Sequence, residues 1–272
     1  MTKGPITNVD ERKQLKTCRP EAEARMTFKD HFSRQASDYA KFRPSYPEEL
    51  FAYLGNVAPS RQLAWDCGTG NGQAAVALTA VFDRVIATDA SEKQIANAQP
   101  HERVEYRVAP AEDSGIESGT VDLIMVAQAL HWFDLPRFYE EVRRALKNNG
   151  VFAASAYNLL RIEPAIDEIV NRYYYEVVGP FWPPERKLVE NFADLAFPFH
   201  EIEPPKIEMT TQWTLDHLIG CLRTWSSTLR FIEARGRDPL EQIADELRSV
   251  WGAPRETRKV TWPLTLRVGI ES

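Results

Sequence analysis

The sequence predicts an α/β fold in which helices cover both faces of a mostly parallel β-sheet. Three observations support this prediction. Segments typical of strands alternate with segments typical of helices from residue 62 to residue 157, and the run VDLIMVAQ at 121–128 is almost uninterruptedly apolar, as central parallel strands are. A third observation is the glycine cluster in DCGTGNG at 66–72, directly after the first of these strands. Alternation of this kind implies a parallel sheet covered by helices.

The individual elements follow from local pattern. Apolar and β-branched runs predict strands at 62–67, 84–90, 104–109, 121–128 and 148–157. Helices are predicted at 72–82, 91–99 and 135–147. The helix at 91–99 begins after Ser91, a good N-cap residue. The helix at 135–147 places Leu135, Phe138 and Val142 on one apolar face.

The alternation stops after Tyr157. Residues 158–204 and 214–250 are predicted to be helical caps over the sheet's end, and the final strands, 206–213 and 258–270, to be antiparallel neighbours. Residues 1–25 are polar and without periodicity, which indicates a mobile extension, so that 26–272 would form a single domain. Met26 is an alternative start of the folded protein.

Composition excludes several classes of protein. The net charge of −6 disfavours a nucleic-acid-binding surface. Three scattered cysteines do not suit a disulfide framework, and the five histidines show no metal-ligand spacing. No apolar run is long enough for a membrane span, and the N-terminus has no apolar core of a signal peptide. We therefore expect a cytoplasmic protein without metal or membrane partners.

Three kinds of ligand are possible at the glycine cluster: a phosphate, a dinucleotide and an amino acid. A phosphate-binding P-loop needs Lys and Ser or Thr after the glycines, whereas Gln73 and Ala74 follow Gly72 here. A dinucleotide fingerprint needs a small residue at position 73, where this sequence has Gln73, so the match to that fingerprint is imperfect. Asp66 would repel a pyrophosphate at a helix N-terminus, but it suits an ammonium group. The loop therefore favours an amino acid as its ligand.

Two further positions add a nucleoside. Asp89 ends the second strand, where a carboxylate can accept both ribose hydroxyls. Ala111 and Glu112 follow the third strand and are placed to border an adenine ring. An amino acid, a ribose and an adenine in one crevice describe S-adenosylmethionine.

The order of these motifs resembles the class I S-adenosylmethionine-dependent methyltransferases from about residue 28 to residue 150. The resemblance includes DCGTGNG, Asp89, AED at 111–113, VDLIMVAQALHWFD and RALKNNG. YAKFRPSYP, ALHWFD and LRTWS are similar to the trans-aconitate methyltransferase group. Cys67 stands where the family usually has an aliphatic residue, and KNNG replaces the commoner Lys-Pro-Gly-Gly.

The resemblance implies a Rossmann-like sheet of seven strands with the last strand antiparallel. It implies S-adenosylmethionine as cofactor and S-adenosylhomocysteine as product. The implied cofactor-binding residues are Tyr39, Arg43, Asp66, Gly68, Thr69, Gly70, Asn71, Gly72, Asp89, Ala90, Ala111, Glu112 and Gln128. The implied substrate residues are His131, Trp132, Arg161, Arg223 and Trp225, and His131 is the candidate catalytic base.

The acceptor stays open between two chemistries. A carboxylate acceptor needs no base but needs cationic clamps, for which Arg43, Arg161, Arg223 and Arg230 are available. A hydroxyl, amine or carbon acid needs a base, which would be His131. The leading hypothesis is O-methylation of a small carboxylic acid. The alternatives are methylation of a larger lipid- or quinone-like acceptor, a non-catalytic cofactor-binding module, and a nicotinamide dehydrogenase.

Overall fold

The structure is a computed structural model that describes residues 1–2, 42–190 and 192–271. The expectations for residues 3–25, for Met26 and for Tyr39 lie outside these ranges. No helix within the described ranges is both long enough and apolar enough to cross a bilayer.

Eight strands and nine α-helices are found in the described part of the chain. The strands are β1 Leu63–Cys67, β2 Arg84–Asp89, β3 Val104–Val108, β4 Val121–Ala127, β5 Leu146–Tyr157, β6 His200–Ile202, β7 Glu208–Trp213 and β8 Arg258–Ile270. The helices are α1 Glu48–Val57, α2 Gln73–Leu78, α3 Glu92–Ala96, α4 Leu135–Ala145, α5 Pro164–Arg172, α6 Arg186–Glu190, α7 Leu215–Arg223, α8 Ser226–Arg235 and α9 Ala244–Trp251.

The sheet has the strand order β3-β2-β1-β4-β5-β8-β6. Strands β1 to β5 pair in parallel, and β8 runs antiparallel to β5. The predicted α/β fold with an antiparallel last strand is thus confirmed. Strand order reverses between β1 and β4, and open α/β sheets bind ligands at the carboxyl ends of the strands at such a point.

The eighth strand, β7, lies off this path and pairs only with β8. Residues 264–270 of β8 pair with β5, whereas residues 258–263 pair with β7. The change of partner falls at Pro263, which cannot donate a ladder hydrogen bond. The predicted antiparallel pairing of the last two long strands is confirmed.

The helical caps differ from the sequence prediction in detail. Strand β6 lies inside the segment predicted to be helical at 158–204, and a π-helical turn, Tyr173–Val177, continues α5. The helical prediction for 214–250 corresponds to three separate α-helices, α7, α8 and α9. Trp225 separates α7 from α8 because its backbone is extended, with φ −67° and ψ 136°.

Helices pack against both faces of the sheet, and the residues of β4 are buried on both sides. Along β4, Ile124 and Val126 pack with Phe138 of α4, whereas Leu123 and Met125 join the cluster of α1 and α2 on the other face. Alternate residues of a strand point to opposite faces. The caps have a cluster of their own, built around Trp213, Trp225, Trp251 and Trp262.

One buried carboxylate ties the amino ends of β1 and β4 together. Asp122 accepts hydrogen bonds from Ser60 Oγ at 2.6 Å, from the backbone N–H of Leu63 at 2.9 Å and from Lys147 Nζ at 2.8 Å. These partners hold the pKa of Asp122 below its usual value despite burial, which acts in the opposite direction. The network fixes the end of the sheet opposite the glycine loop.

We expect Asp122→Ala to lower the free energy of unfolding by about 3–5 kcal/mol, because it leaves Lys147 and the backbone N–H groups of Gln62 and Leu63 without their acceptor. Urea denaturation measures the change. Asp245→Ala is the matched control, since Asp245 is 97% exposed and pairs with Arg248 on the surface. Equal decreases in the free energy of unfolding would show that the buried network stabilises the fold no more than the surface ion pair does.

Candidate functional site

The glycine loop, residues 66–72, leaves β1 at the carboxyl edge of the sheet. Gly68, Gly70 and Gly72 all have positive φ, at 72°, 57° and 86°, a region that favours glycine. The N–H groups of Gly68 and Thr69 both donate to Thr88 O at 2.9 Å. The loop is therefore tied to β2, and Gly72 forms the N-cap of α2.

The three glycines differ in what surrounds them. A Cβ at Gly68 would lie 2.5 Å from the Cβ of Ala129, and one at Gly72 would lie 2.2 Å from Tyr106 Oη. A Cβ at Gly70 would meet nothing within 4 Å. Gly68 and Gly72 thus serve packing, whereas Gly70 leaves open space beside bare backbone.

Asp66 is buried beneath this loop. Its Oδ2 accepts a hydrogen bond from Thr69 Oγ1 at 2.5 Å, while Oδ1 is buried without a well-formed hydrogen bond. Burial raises the pKa of Asp66 to about 7, although Thr69 and the backbone N–H of Ala75 lower it. A buried carboxylate oxygen without a donor is unfavourable, so this site suits a ligand that brings one, such as an ammonium group.

Asp89 lies at the tip of β2 and binds the loop directly. Its Oδ2 accepts from the backbone N–H of Gly70 at 2.9 Å, and its Oδ1 accepts from that of Ser91 at 2.8 Å. Ala90 lies between Asp89 and Ser91, and Asn71 O accepts a hydrogen bond from Gln99 N at 2.9 Å. The structure thus brings the candidate ribose acid against the glycine loop.

The segment after β3 completes this side of the crevice. Ala111 is buried, and Ala109 N donates to Asp89 O at 3.1 Å. Glu112 Oε1 accepts from the backbone N–H of Asp134 at 2.8 Å. The carboxylate of Glu112 therefore contacts the segment that follows β4.

Gln128 marks the exit of β4. Its φ of 59° is positive, which is uncommon for a residue other than glycine and is often found at functional sites. Its backbone N–H donates to Ser155 O at 2.9 Å, and its Nε2 donates to Tyr157 O at 2.9 Å. Both neighbours on β5 thus hold Gln128 in this conformation.

A cleft of about 780 Å³, counting its open mouth, lies beside Gln128 under the caps. Its walls carry aromatic rings and two guanidinium groups, and no Asp or Glu is among its described lining residues. The main polar and aromatic lining residues are Arg43, Gln128, His131, Trp132, Tyr157, Asn158, Tyr174, Trp182, Arg186, Trp225 and Trp262. We call this space the acceptor cleft.

The acceptor cleft unites several residues singled out from the sequence: Arg43, Gln128, His131, Trp132 and Trp225. The other candidate substrate residues are placed elsewhere. Arg161 lines a neighbouring cleft. Arg223 forms an ion pair with Asp238 at 2.9 Å. Arg230 is not part of the acceptor-cleft lining.

Arg186 was missed by the sequence analysis. Its Nε donates to Tyr174 Oη at 2.8 Å, and its guanidinium lies 5.1 Å from the ring centroid of Trp182. Such a cation over an aromatic face is favourable. The only sequence signal was the aromatic-rich stretch around FWPPERK, where one arginine does not stand out from its charged neighbours.

His131 lies in the cleft wall with its ring 4.7 Å from that of Trp132. Burial, assisted by the positive charge of Arg186, lowers the pKa of His131 to about 3. The imidazole is therefore neutral at physiological pH and binds protons weakly. Across the described residues, no group of His, Cys, Asp or Glu is arranged to hold a metal ion.

We expect Gly70→Ala to fold but to weaken binding of S-adenosylhomocysteine at least about tenfold, because its methyl group enters the space where backbone must approach a ligand. Titration calorimetry measures the affinity. Gly119→Ala is the matched control: Gly119 also has a positive φ, 66°, with nothing within 4 Å, so both variants carry a similar backbone cost of about 1 kcal/mol. Equal affinities in the two variants would contradict this placement of the ligand.

Comparison with known proteins agrees with this geometry. Residues 65–154 match the family described as "Methyltransferase domain". A "Putative methyltransferase" of Dictyostelium discoideum is 38% identical over 225 residues, which cover 81% of this chain and 86% of that protein. A "Probable S-adenosylmethionine-dependent methyltransferase" of Saccharomyces cerevisiae is 30% identical over 152 residues, or 52% of this chain and 51% of that one.

A solved structure extends the likeness to the fold. The structure of a "Putative Type II Methyltransferase from Anaeromyxobacter dehalogenans" is 46% identical, with a TM-score of 0.80 over 84% of this chain and 98% of that chain. The relatives and the strand order together confirm the family that the glycine loop and Asp89 indicate. The chain belongs to the class I S-adenosylmethionine-dependent methyltransferases, with S-adenosylmethionine as its cofactor.

Proposed function

We propose that this methyltransferase methylates a carboxylate oxygen of a small organic acid, as in the trans-aconitate methyltransferase group. The acceptor cleft is the observation that carries the proposal. It presents Arg43 and Arg186 and, among its described lining residues, no acidic side chain. Guanidinium groups bind carboxylates with strong, oriented hydrogen bonds.

The proposed cofactor residues fit S-adenosylmethionine. The open space at Gly70 leaves room for close backbone approach, and Asp66 is buried beneath the loop with Oδ1 lacking a well-formed hydrogen bond, so its carboxylate would attract the ammonium group. Asp89 would accept the ribose hydroxyls, Ala111 would border the adenine, and Gln128 would face the acceptor side.

When bound, the cofactor supplies an activated sulfonium methyl group. The chain's part is to align the acceptor and to exclude water, which contributes roughly 7–11 kcal/mol where geometry is good.

The state of His131 favours a carboxylate over a hydroxyl acceptor. With a pKa of about 3, its imidazole is far from the range near 7 that suits a general base. A carboxylate is already ionised and needs no base. We therefore propose that His131 forms a neutral part of the cleft wall together with Trp132.

A larger apolar acceptor is the second candidate. Trp132, Trp182 and Trp225 line the cleft, and flat aromatic walls also suit a lipid- or quinone-like molecule. The arginines distinguish the two classes. An apolar acceptor gains little from a guanidinium group, whereas a carboxylate depends on it.

The raised pKa of Asp66 predicts a pH dependence of cofactor binding. An ammonium ligand needs the ionised carboxylate, which grows from a minor to the major form as the pH rises through about 7. S-adenosylhomocysteine should bind about tenfold more tightly at pH 8 than at pH 6. His131, with a pKa of about 3, does not titrate in this window.

Titration calorimetry at both pH values tests this, with Asp66→Asn as the comparison. The variant should bind more weakly and without pH dependence between pH 6 and 8. A wild-type affinity that is unchanged between the two pH values would contradict the contact between Asp66 and the ammonium group.

Arg186→Gln tests the acceptor class. In a screen of small carboxylic acids that begins with trans-aconitate, we expect the variant to raise KM about 10- to 100-fold with kcat nearly unchanged, because it loses a charge-assisted hydrogen bond to a bound carboxylate. Lys187→Gln is the matched control, since Lys187 is the exposed neighbour on α6. Affinity for S-adenosylhomocysteine should be unchanged in both.

Two outcomes would overturn the carboxylate assignment. One is turnover of neutral apolar acceptors but of no carboxylic acid. The other is an equal KM for wild type and Arg186→Gln with the carboxylic acid that is turned over best. Thermal unfolding of each variant shows that a change in KM is not a loss of fold.

A further inference from the structure

The exit loop, residues 128–134, joins β4 to α4 and carries His131 and Trp132 into the acceptor cleft. It is a compact turn. Trp132 N donates to Ala129 O at 2.9 Å, and Phe133 N donates to Leu130 O at 3.3 Å. It starts at Gln128, whose left-handed backbone is held by its neighbours on β5.

The exit loop also touches the cofactor side at two places. Gly68 packs against it so closely that a Cβ there would lie 2.5 Å from the Cβ of Ala129 and 3.1 Å from the ring of Phe133. At its far end, the N–H of Asp134 donates to Glu112 Oε1 at 2.8 Å. Glu112 thus bridges the segment after β3 and the start of α4.

The segment after β3 has a separate support. Glu141 of α4 is buried, and its Oε1 accepts from both the backbone N–H of Ser114 at 2.9 Å and Ser114 Oγ at 2.5 Å. Arg144 holds the same carboxylate through two hydrogen bonds, at 2.6 and 2.7 Å. Removing the Glu112 carboxylate would therefore release the exit loop while Glu141 keeps the segment in place.

From this arrangement we infer that Glu112, which the resemblance implies to be a cofactor ligand, is instead a positioning residue that couples the cofactor site to the acceptor cleft. A nucleoside beside Ala111 fixes the neighbouring Glu112, and Glu112 then holds Asp134 and with it the exit loop. Cofactor and acceptor consequently bind with positive cooperativity, and the coupling acts equally in both directions. The inference rests on the proposed location of the nucleoside beside Ala111.

Hydrogen exchange of the full chain with and without saturating S-adenosylhomocysteine tests the coupling without an acceptor. In the wild type, the ligand should protect peptides that cover both 66–72 and 128–134. In Glu112→Ala, protection of 66–72 should persist, while protection of 128–134 should fall at least about fivefold. Glu112→Gln should behave like the wild type, because its amide oxygen still accepts a hydrogen bond from Asp134.

Glu117→Ala is the matched control, since Glu117 is an exposed acid of the same segment and should leave both regions protected. Undiminished protection of 128–134 in Glu112→Ala would overturn the coupling role. Loss of ligand binding by Glu112→Ala would also overturn it, because Glu112 would then be a direct ligand. A wild type without protection at 66–72 would instead contradict the proposed cofactor site, and the inference would fall with it.

Discussion

The backbone of Gly68 lies so close to the exit loop that one methyl group would not fit between them, and the site depends on this contact. It brings the end of β1 against the end of β4, the two strands at which the strand order reverses. Asp66 is buried beneath the same turn, and Gln128 begins the segment on the other side. Because protein interiors are close-packed, a displacement on one side of this contact is passed on to the other side. Packing therefore requires the absence of a side chain at Gly68, whereas at Gly70 the absence of a side chain leaves open space.

Much of the fold, and the placement of the glycine loop and Asp89 at one edge of the sheet, could be predicted from the sequence because the signals are local. Strands β1 to β4 are short apolar runs whose ends agree closely with prediction, and Ser91 caps its helix as expected, accepting from Gln94 N. Asp66, the glycines and Asp89 occur in a fixed order around two adjacent strand ends. Parallel strands place their carboxyl ends at one edge, so the spacing alone locates these groups.

The acceptor cleft could not be predicted in the same way, because distant segments build it. Arg43, Arg186 and Trp225 come from three segments that are far apart in the sequence, and no spacing in the sequence encodes how these segments pack together. Arg223, equally suitable by residue type, faces Asp238 instead. Strand β6, which lies in a segment predicted to be helical, depends on pairing with residues 268–270 of β8, which is likewise non-local.

The charges divide the crevice into two halves that meet at Gln128. The proposed cofactor side holds the carboxylates of Asp66, Asp89 and Glu112, and the proposed acceptor side holds the guanidinium groups of Arg43 and Arg186. Methyl transfer from a sulfonium to a carboxylate cancels a positive and a negative charge, so the reacting pair becomes less polar towards the transition state. A guanidinium group that binds the acid away from its reacting oxygen stabilises the ground state and the transition state about equally, so it raises affinity and leaves kcat nearly unchanged. The stacking of Arg186 on Trp182 and its hydrogen bond to Tyr174 Oη fix it in the cleft wall. An arginine in that setting would hold and orient the proposed acid, while the aromatic walls would provide the dry surroundings in which opposite charges disappear most readily.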